Sequence, residues 1–243
     1  MATDPKRRQK ALAKKTAKRK AKNAVAGAAR RIPTLASARL ATLPIHECLV
    51  PDGLFEKGIG TVLVSRQMPN GDIVTGGFLV DAWCLGVKNA LLRIDTEARY
   101  EDWVENLLIR QDDLAEVEPT YAKKLILDAI AYARELGFPP HPDYRAAARI
   151  LEGIDAAKCA ARFSFGCEGK PFFASGPNDT PARCREILTT LEKRLGPDGF
   201  QFTVAGRSAD EFHKMGFSKL HLERLGVATV RLPVGTDTDP DDD

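Results

Sequence analysis

GTVLVSRQMPNGDIVTGGFLVD, residues 60–81, decides the fold class of this chain. GTVLVSRQ (60–67) and DIVTGGFLVD (72–81) are rich in β-branched and apolar residues, with MPNG between them. Asn70-Gly71 suits the backbone of a tight hairpin turn, so the stretch predicts two antiparallel strands joined directly. The second strand runs into AWCLGVKNALLRI (82–94), where helical and strand patterns overlap and Gly86 interrupts both.

Outward from the hairpin, helices are the next signal. TEARYEDWVENLLIR (96–110) puts Trp103 and Leu107 at helical spacing, with acids in its first turn. PTYAKKLILDAIAYAREL (119–136) opens on a proline and stops before Gly137, with Leu127 and Ile130 on its expected buried face. Both helices are expected to pack on the hairpin. FPPHP (138–142) breaks the chain, and a third helix is expected over about 143–159, bent at Gly153. ARFSFG and KPFFAS around CEG (161–175) read as a second hairpin. Thr180, Pro181 and Gly196 bracket a helix over 181–195. FQFTVA (200–205) alternates as a strand, Ser208 and Glu211 form a capping box, and VATVRLPV (227–234) reads as a last strand. Residues 32–58, with Pro33, Pro44, Pro51 and Gly53, read as an irregular connection holding a short helix near 34–42.

Hairpins mixed with helices, not strict strand–helix alternation, give an α+β class with antiparallel sheet. The expected divisions are an arm (1–36), a region with hairpin 60–81 and two helices (37–137), a region with hairpin 161–175 (138–235), and an acidic tail (236–243).

Charge is divided as sharply as structure. Residues 1–31 hold twelve Lys and Arg against Asp4 alone, or +11, whereas the other 212 residues hold 24 against 32, or −8. The cations are Lys6, Arg7, Arg8, Lys10, Lys14, Lys15, Lys18, Arg19, Lys20, Lys22, Arg30 and Arg31. With no aromatic and few bulky apolar residues, the arm cannot bury enough surface to offset the entropy of ordering, so it is predicted to be disordered. Nucleic-acid phosphates, of DNA or RNA, are its expected partner. Its Lys/Ala composition over residues 9–31 resembles the lysine-rich tails of linker histones and bacterial histone-like proteins. That resemblance implies an arm able to become helical along a duplex, and nothing about the body. A protein partner for the acidic body is a further expectation, and the tail TDTDPDDD (236–243) is placed to screen the arm.

No apolar run approaches the roughly 18–20 residues that span a bilayer, and the N-terminus lacks the apolar core of a signal peptide. Cys48, Cys84, Cys159, Cys167 and Cys184 have no zinc-knuckle spacing and read as reduced thiols of a cytoplasmic protein. No cofactor or metal is expected.

The most suggestive constellation in the body is DAWCLGVK (81–88), on which the alternative reading of the chain as a small enzyme rests. A helical reading of 81–88 puts Asp81, Cys84 and Lys88 on one face, where Lys88 would favour the Cys84 thiolate. His46, beside Glu47 and Cys48, could join such a site from elsewhere in the fold. The competing reading makes Asp81 a cap for the Cys84 amide and Cys84 a core residue, and it needs fewer coincidences. Ser175-Gly-Pro-Asn-Asp-Thr-Pro181 precedes a helix with anion-holding geometry, but Asp179 repels an anion unless a cation intervenes. Phe163, Phe165, Phe172 and Phe173 read as sheet core, with base stacking as the alternative.

Overall fold

Hairpin 60–81 forms as expected and becomes the centre of a larger sheet. The structure, a computed structural model, describes residues 40–111 and 113–204. Strands β1 (Ile45–Pro51), β2 (Ile59–Gln67), β3 (Ile73–Asp81), β4 (Gly86–Asp95) and β5 (Leu114–Glu116) lie in the order β4-β3-β2-β1-β5. Every neighbouring pair is antiparallel. The turn closes where Gly71 N–H donates to Met68 O (2.9 Å) and Met68 N–H to Asp72 O (2.8 Å).

Helices cover both faces, which makes the fold α+β. After the single turn α1 (Leu54–Lys57) come α2 (Glu97–Gln111), α3 (Pro119–Glu135), the single turn α4 (Tyr144–Ala147) and α5 (Pro181–Leu195). Along the strands, Cys48, Val62, Val64, Val74, Phe78 and Val80 point to one face, and Leu125, Ile126, Ala129 and Ile130 of α3 bury them. Burying each large side chain of this set contributes about 1.5–3 kcal/mol. Helix α2 lies on the opposite face. Tyr100 reaches Ser65, and Trp103 sits where Gly77 has no side chain and stacks on Arg93, whose guanidinium is 4.8 Å from the ring centre. Both helices therefore pack on the hairpin, from opposite sides. A second core forms where Ala133 and Leu136 meet Cys84, Phe173, Phe202 and the Cys184–Leu191 face of α5. Helix α5 carries the expected brackets: Thr180 Oγ1 accepts the Arg183 amide (3.2 Å) and Gly196 follows its end.

Five expectations need correction. Residues 82–94 are neither helix nor mixture: four residues turn the chain and β4 pairs back along β3. The connection 32–58 contains β1, an inner strand, whose flanking Pro44 and terminal Pro51 fall where a missing amide costs the ladder little. Residues 161–175 are not a hairpin. Cys167 and Lys170 close a turn, but Phe163 and Phe165 pack against rings beside α3, and β6 (Phe172–Ala174) pairs in parallel with β7 (Gln201–Thr203). The helix over 143–159 shrinks to α4 and two 3-10 turns, 148–151 and 156–158. There, side-chain cations take the carbonyls that a helix would use. Arg66 binds Ile150 O (2.9 Å) and Glu152 O (2.7 Å), while Lys123 binds Leu151 O (3.1 Å) and Ile154 O (2.7 Å). Lastly, Ile130 is buried as expected, but Leu127 is 38% exposed. The arm, the capping box at 208–211, strand 227–234 and the tail lie outside the described residues.

Candidate functional site at the β3–β4 turn

Asp81, the last residue of β3, organises the turn that follows. Its Oδ1 accepts the amides of Trp83 (3.1 Å) and Cys84 (2.8 Å), so the capping reading holds, on a turn instead of a helix. The turn is fastened to four other segments. Ala82 N–H donates to Gly58 O (2.7 Å) and Trp83 Nε1 to Phe55 O (2.8 Å). Gly166 N–H donates to Ala82 O (2.9 Å), and both Phe172 N–H and Tyr132 Oη donate to Trp83 O (3.1 Å). Two glycines permit this crowding. A Cβ on Gly58 (φ +76°) would lie 2.0 Å from the Trp83 ring, and one on Gly86 (φ +63°) 2.6 Å from Ala129 O.

Burial sets the electrostatics. Asp81 is 5% exposed, and desolvation raises its carboxyl to about 6 despite the Cys84 amide and the Lys88 charge. Cys84 is fully buried, and its thiol is pushed far upward by burial and then by the Asp81 charge. Burial among Ala133, Phe173 and Ile187 favours the neutral thiol, the form suited to packing, over the thiolate that would act as a nucleophile. Cys48 is in the same condition under the sheet, raised to about 12 chiefly by burial.

The four catalytic candidates do not form one centre. Asp81 and Cys84 share the turn, but Lys88 stands on β4 and gives its ammonium to Asp179 Oδ2 at 2.6 Å. His46 belongs to the sheet face under α2, edge-on to Tyr100 with ring centres 5.4 Å apart. On that face Glu47, Ser65, Thr75 and Arg93 form one lateral row across β1 to β4. Tyr100 Oη donates to Glu47 Oε1 (2.5 Å), and Ser65 Oγ to Glu47 O (3.0 Å). Thr75 Oγ1 is buried with no hydrogen-bond partner among the described residues. Alternation along single strands hides this row, since its members share a face only once the register is known.

What the structure does bring together is three stretches far apart in the chain. Leu85, Val87 and Lys88 form the floor of a cleft of about 410 Å³. Phe138, Pro139, Pro140, His141 and Pro142 form one wall, and Asp179 and Arg183 the other. Asp179 Oδ2 also accepts the Gly176 amide (2.7 Å). Burial alone would raise this carboxyl. The Lys88 hydrogen bond, the Gly176 amide and the charges of Lys88 and Arg183 outweigh it and hold the group below its ordinary value. Lys88 is thus the cation that the loop before α5 required.

The aromatic residues of 161–175 are largely occupied with rings from other segments. Phe163 stacks on Phe55 (5.9 Å) and Phe165 on Tyr132 (5.3 Å), while Phe173 is fully buried. Among the described residues no three His, Cys, Asp or Glu side chains converge to hold a metal, and no helix is long and apolar enough to cross a membrane. Compared with known proteins, the chain matches no family model, no curated sequence and no solved structure.

Proposed function

We propose that this is a cytoplasmic nucleic-acid-associated protein that holds the phosphate backbone through residues 1–31 and carries the α+β body as its cargo. The partition of charge carries the reading. The arm holds +11, while residues 40–204 hold 18 Lys and Arg against 24 Asp and Glu, or −6. A body of that net sign does not draw in a polyanion through its long-range field, so polyanion affinity falls to the arm. Contact of this kind reads charge density and not sequence. The cysteines are thiols, three of them buried, which suits a reducing compartment.

The test is a salt titration of duplex DNA and RNA binding, comparing the full chain with a version lacking residues 1–31. Neutralising about six phosphates gives a slope of log K against log salt near −5, which the truncated protein should lose along with most of its low-salt affinity. Equal binding by the two proteins would refute the assignment.

A further inference from the structure

We infer that the cleft between the β3–β4 turn, the 138–142 loop and the start of α5 is a binding site for a small organic anion with an apolar or aromatic body. This site is independent of the arm. Its volume of about 410 Å³ falls within the usual range for small-molecule sites, and its composition follows the same pattern of apolar walls with few polar groups. Leu85, Val87, Phe138, Pro139 and Pro140 supply the apolar surface, and Lys88, Asp179 and Arg183 are the charged groups that line it.

The walls are built to stay open. Lys88 stands at a bulge of β4, and the proline loop is tied by Phe138 N–H to Ala133 O (2.8 Å) and His141 N–H to Val87 O (2.9 Å). Prolines have few conformations to lose, so an occupant orders little on entering.

The polar side selects an anion. Asp179 is already neutralised, since its Oδ2 accepts both Lys88 and the Gly176 amide. An ammonium has three donors, and Asp179 takes one of those of Lys88. Arg183 lines the mouth; its bond to Glu186 (2.8 Å) joins two exposed side chains, a pairing that is readily given up. His141 lines the same space with Nδ1 accepting the Asp143 amide (3.2 Å), which leaves Nε2 as a donor in the neutral ring. Three donors around an apolar floor, with the one carboxylate already paired, fit a carboxylate, sulfonate or phosphate monoester attached to a ring or branched chain.

The test uses the full chain and 8-anilinonaphthalene-1-sulfonate, an aromatic sulfonate that fluoresces in apolar surroundings. About 0.5 M NaCl screens the arm, where the Debye length is only a few ångströms. The expected result is saturable binding at a single site, weakened about tenfold by Lys88→Met and several-fold by Arg183→Gln, as the loss of a charge-assisted contact implies. The uncharged parent N-phenyl-1-naphthylamine should not distinguish the three proteins. Melting curves identify any variant that fails to fold, and Arg183→Gln, at an exposed position, decides the matter if Lys88→Met is lost. Absence of saturable binding, or binding indifferent to a folded Lys88 or Arg183 variant, would overturn the assignment.

Discussion

Asp81 shows how one buried carboxyl can hold a turn and also tilt stability with pH. Its ordinary value is 3.8 and its folded value about 6, so between those limits the folded state binds more protons than the unfolded one. Stability from this group is therefore fully present below pH 3.8 and declines as pH rises through 6. Asp81→Asn keeps an oxygen acceptor for the Trp83 and Cys84 amides but cannot ionise. Urea unfolding at stepped pH should show the variant gaining on the parent across that window, then a constant difference above it. Parallel pH profiles would mean that Asp81 does not carry the slope. Cysteine accessibility offers a second measurement at this scale. Cys48, Cys84 and Cys184 are buried, whereas Cys159 and Cys167 are partly exposed. Alkylation at neutral pH, read by mass spectrometry, should label Cys159 and Cys167 first and the other three only with unfolding. Rapid native labelling of Cys84 would reopen its candidacy as a nucleophile.

Elements form here where sequence punctuation and tertiary demand agree. Asn70-Gly71, Pro119 with Gly137, and Thr180-Pro181 with Gly196 are local signals, and the elements they bracket appear within a residue or two of the expected bounds. The elements that escaped reading depend on partners distant in the chain. Strand β1 lies between prolines and is specified by β2 and β5, and β4 carries Lys88, Asn89, Arg93 and Asp95 in a bulged register that spoils its alternation. The third helix fails because Arg66 arrives from β2, 3% exposed, and takes carbonyls at Leu43, Ile150 and Glu152. The same limit governs the cleft. Lys88 and Asp179 were each visible as residues of interest, but their 91-residue separation hid the bond between them. Within α3, the buried face is testable by contrast. Ile130→Asp places an unpaired charge in the main core and should cost several kcal/mol, whereas Leu127→Asp, at a 38% exposed position, should cost about 1 kcal/mol or less. Similar melting temperatures for the two variants would mean that the helix is rotated from the orientation described.

Over the whole molecule, charge of one sign is gathered at each end of the chain. The tail TDTDPDDD carries five Asp, the arm +11, and the sequence between them, residues 32–235, holds 24 Lys and Arg against 27 Asp and Glu, or −3. Two oppositely charged segments on one chain meet at an effective concentration set by the chain and not by the solution. Under the proposed function, phosphate would have to displace the tail before the arm is fully available, which would make the tail an internal competitor at low salt. Deleting residues 236–243 moves the net charge from +3 to +8. Under the proposed function, that deletion should tighten duplex binding several-fold at low ionic strength, with the gain fading as salt screens both segments. In a chain already lacking residues 1–31, removing the tail should add little, because the arm it competes for is gone. These four proteins form a cycle whose coupling term isolates the arm–tail interaction from the tail's general repulsion of polyanions. Equal gains with and without the arm would assign the tail to simple repulsion, and no gain in either background would remove it from the mechanism.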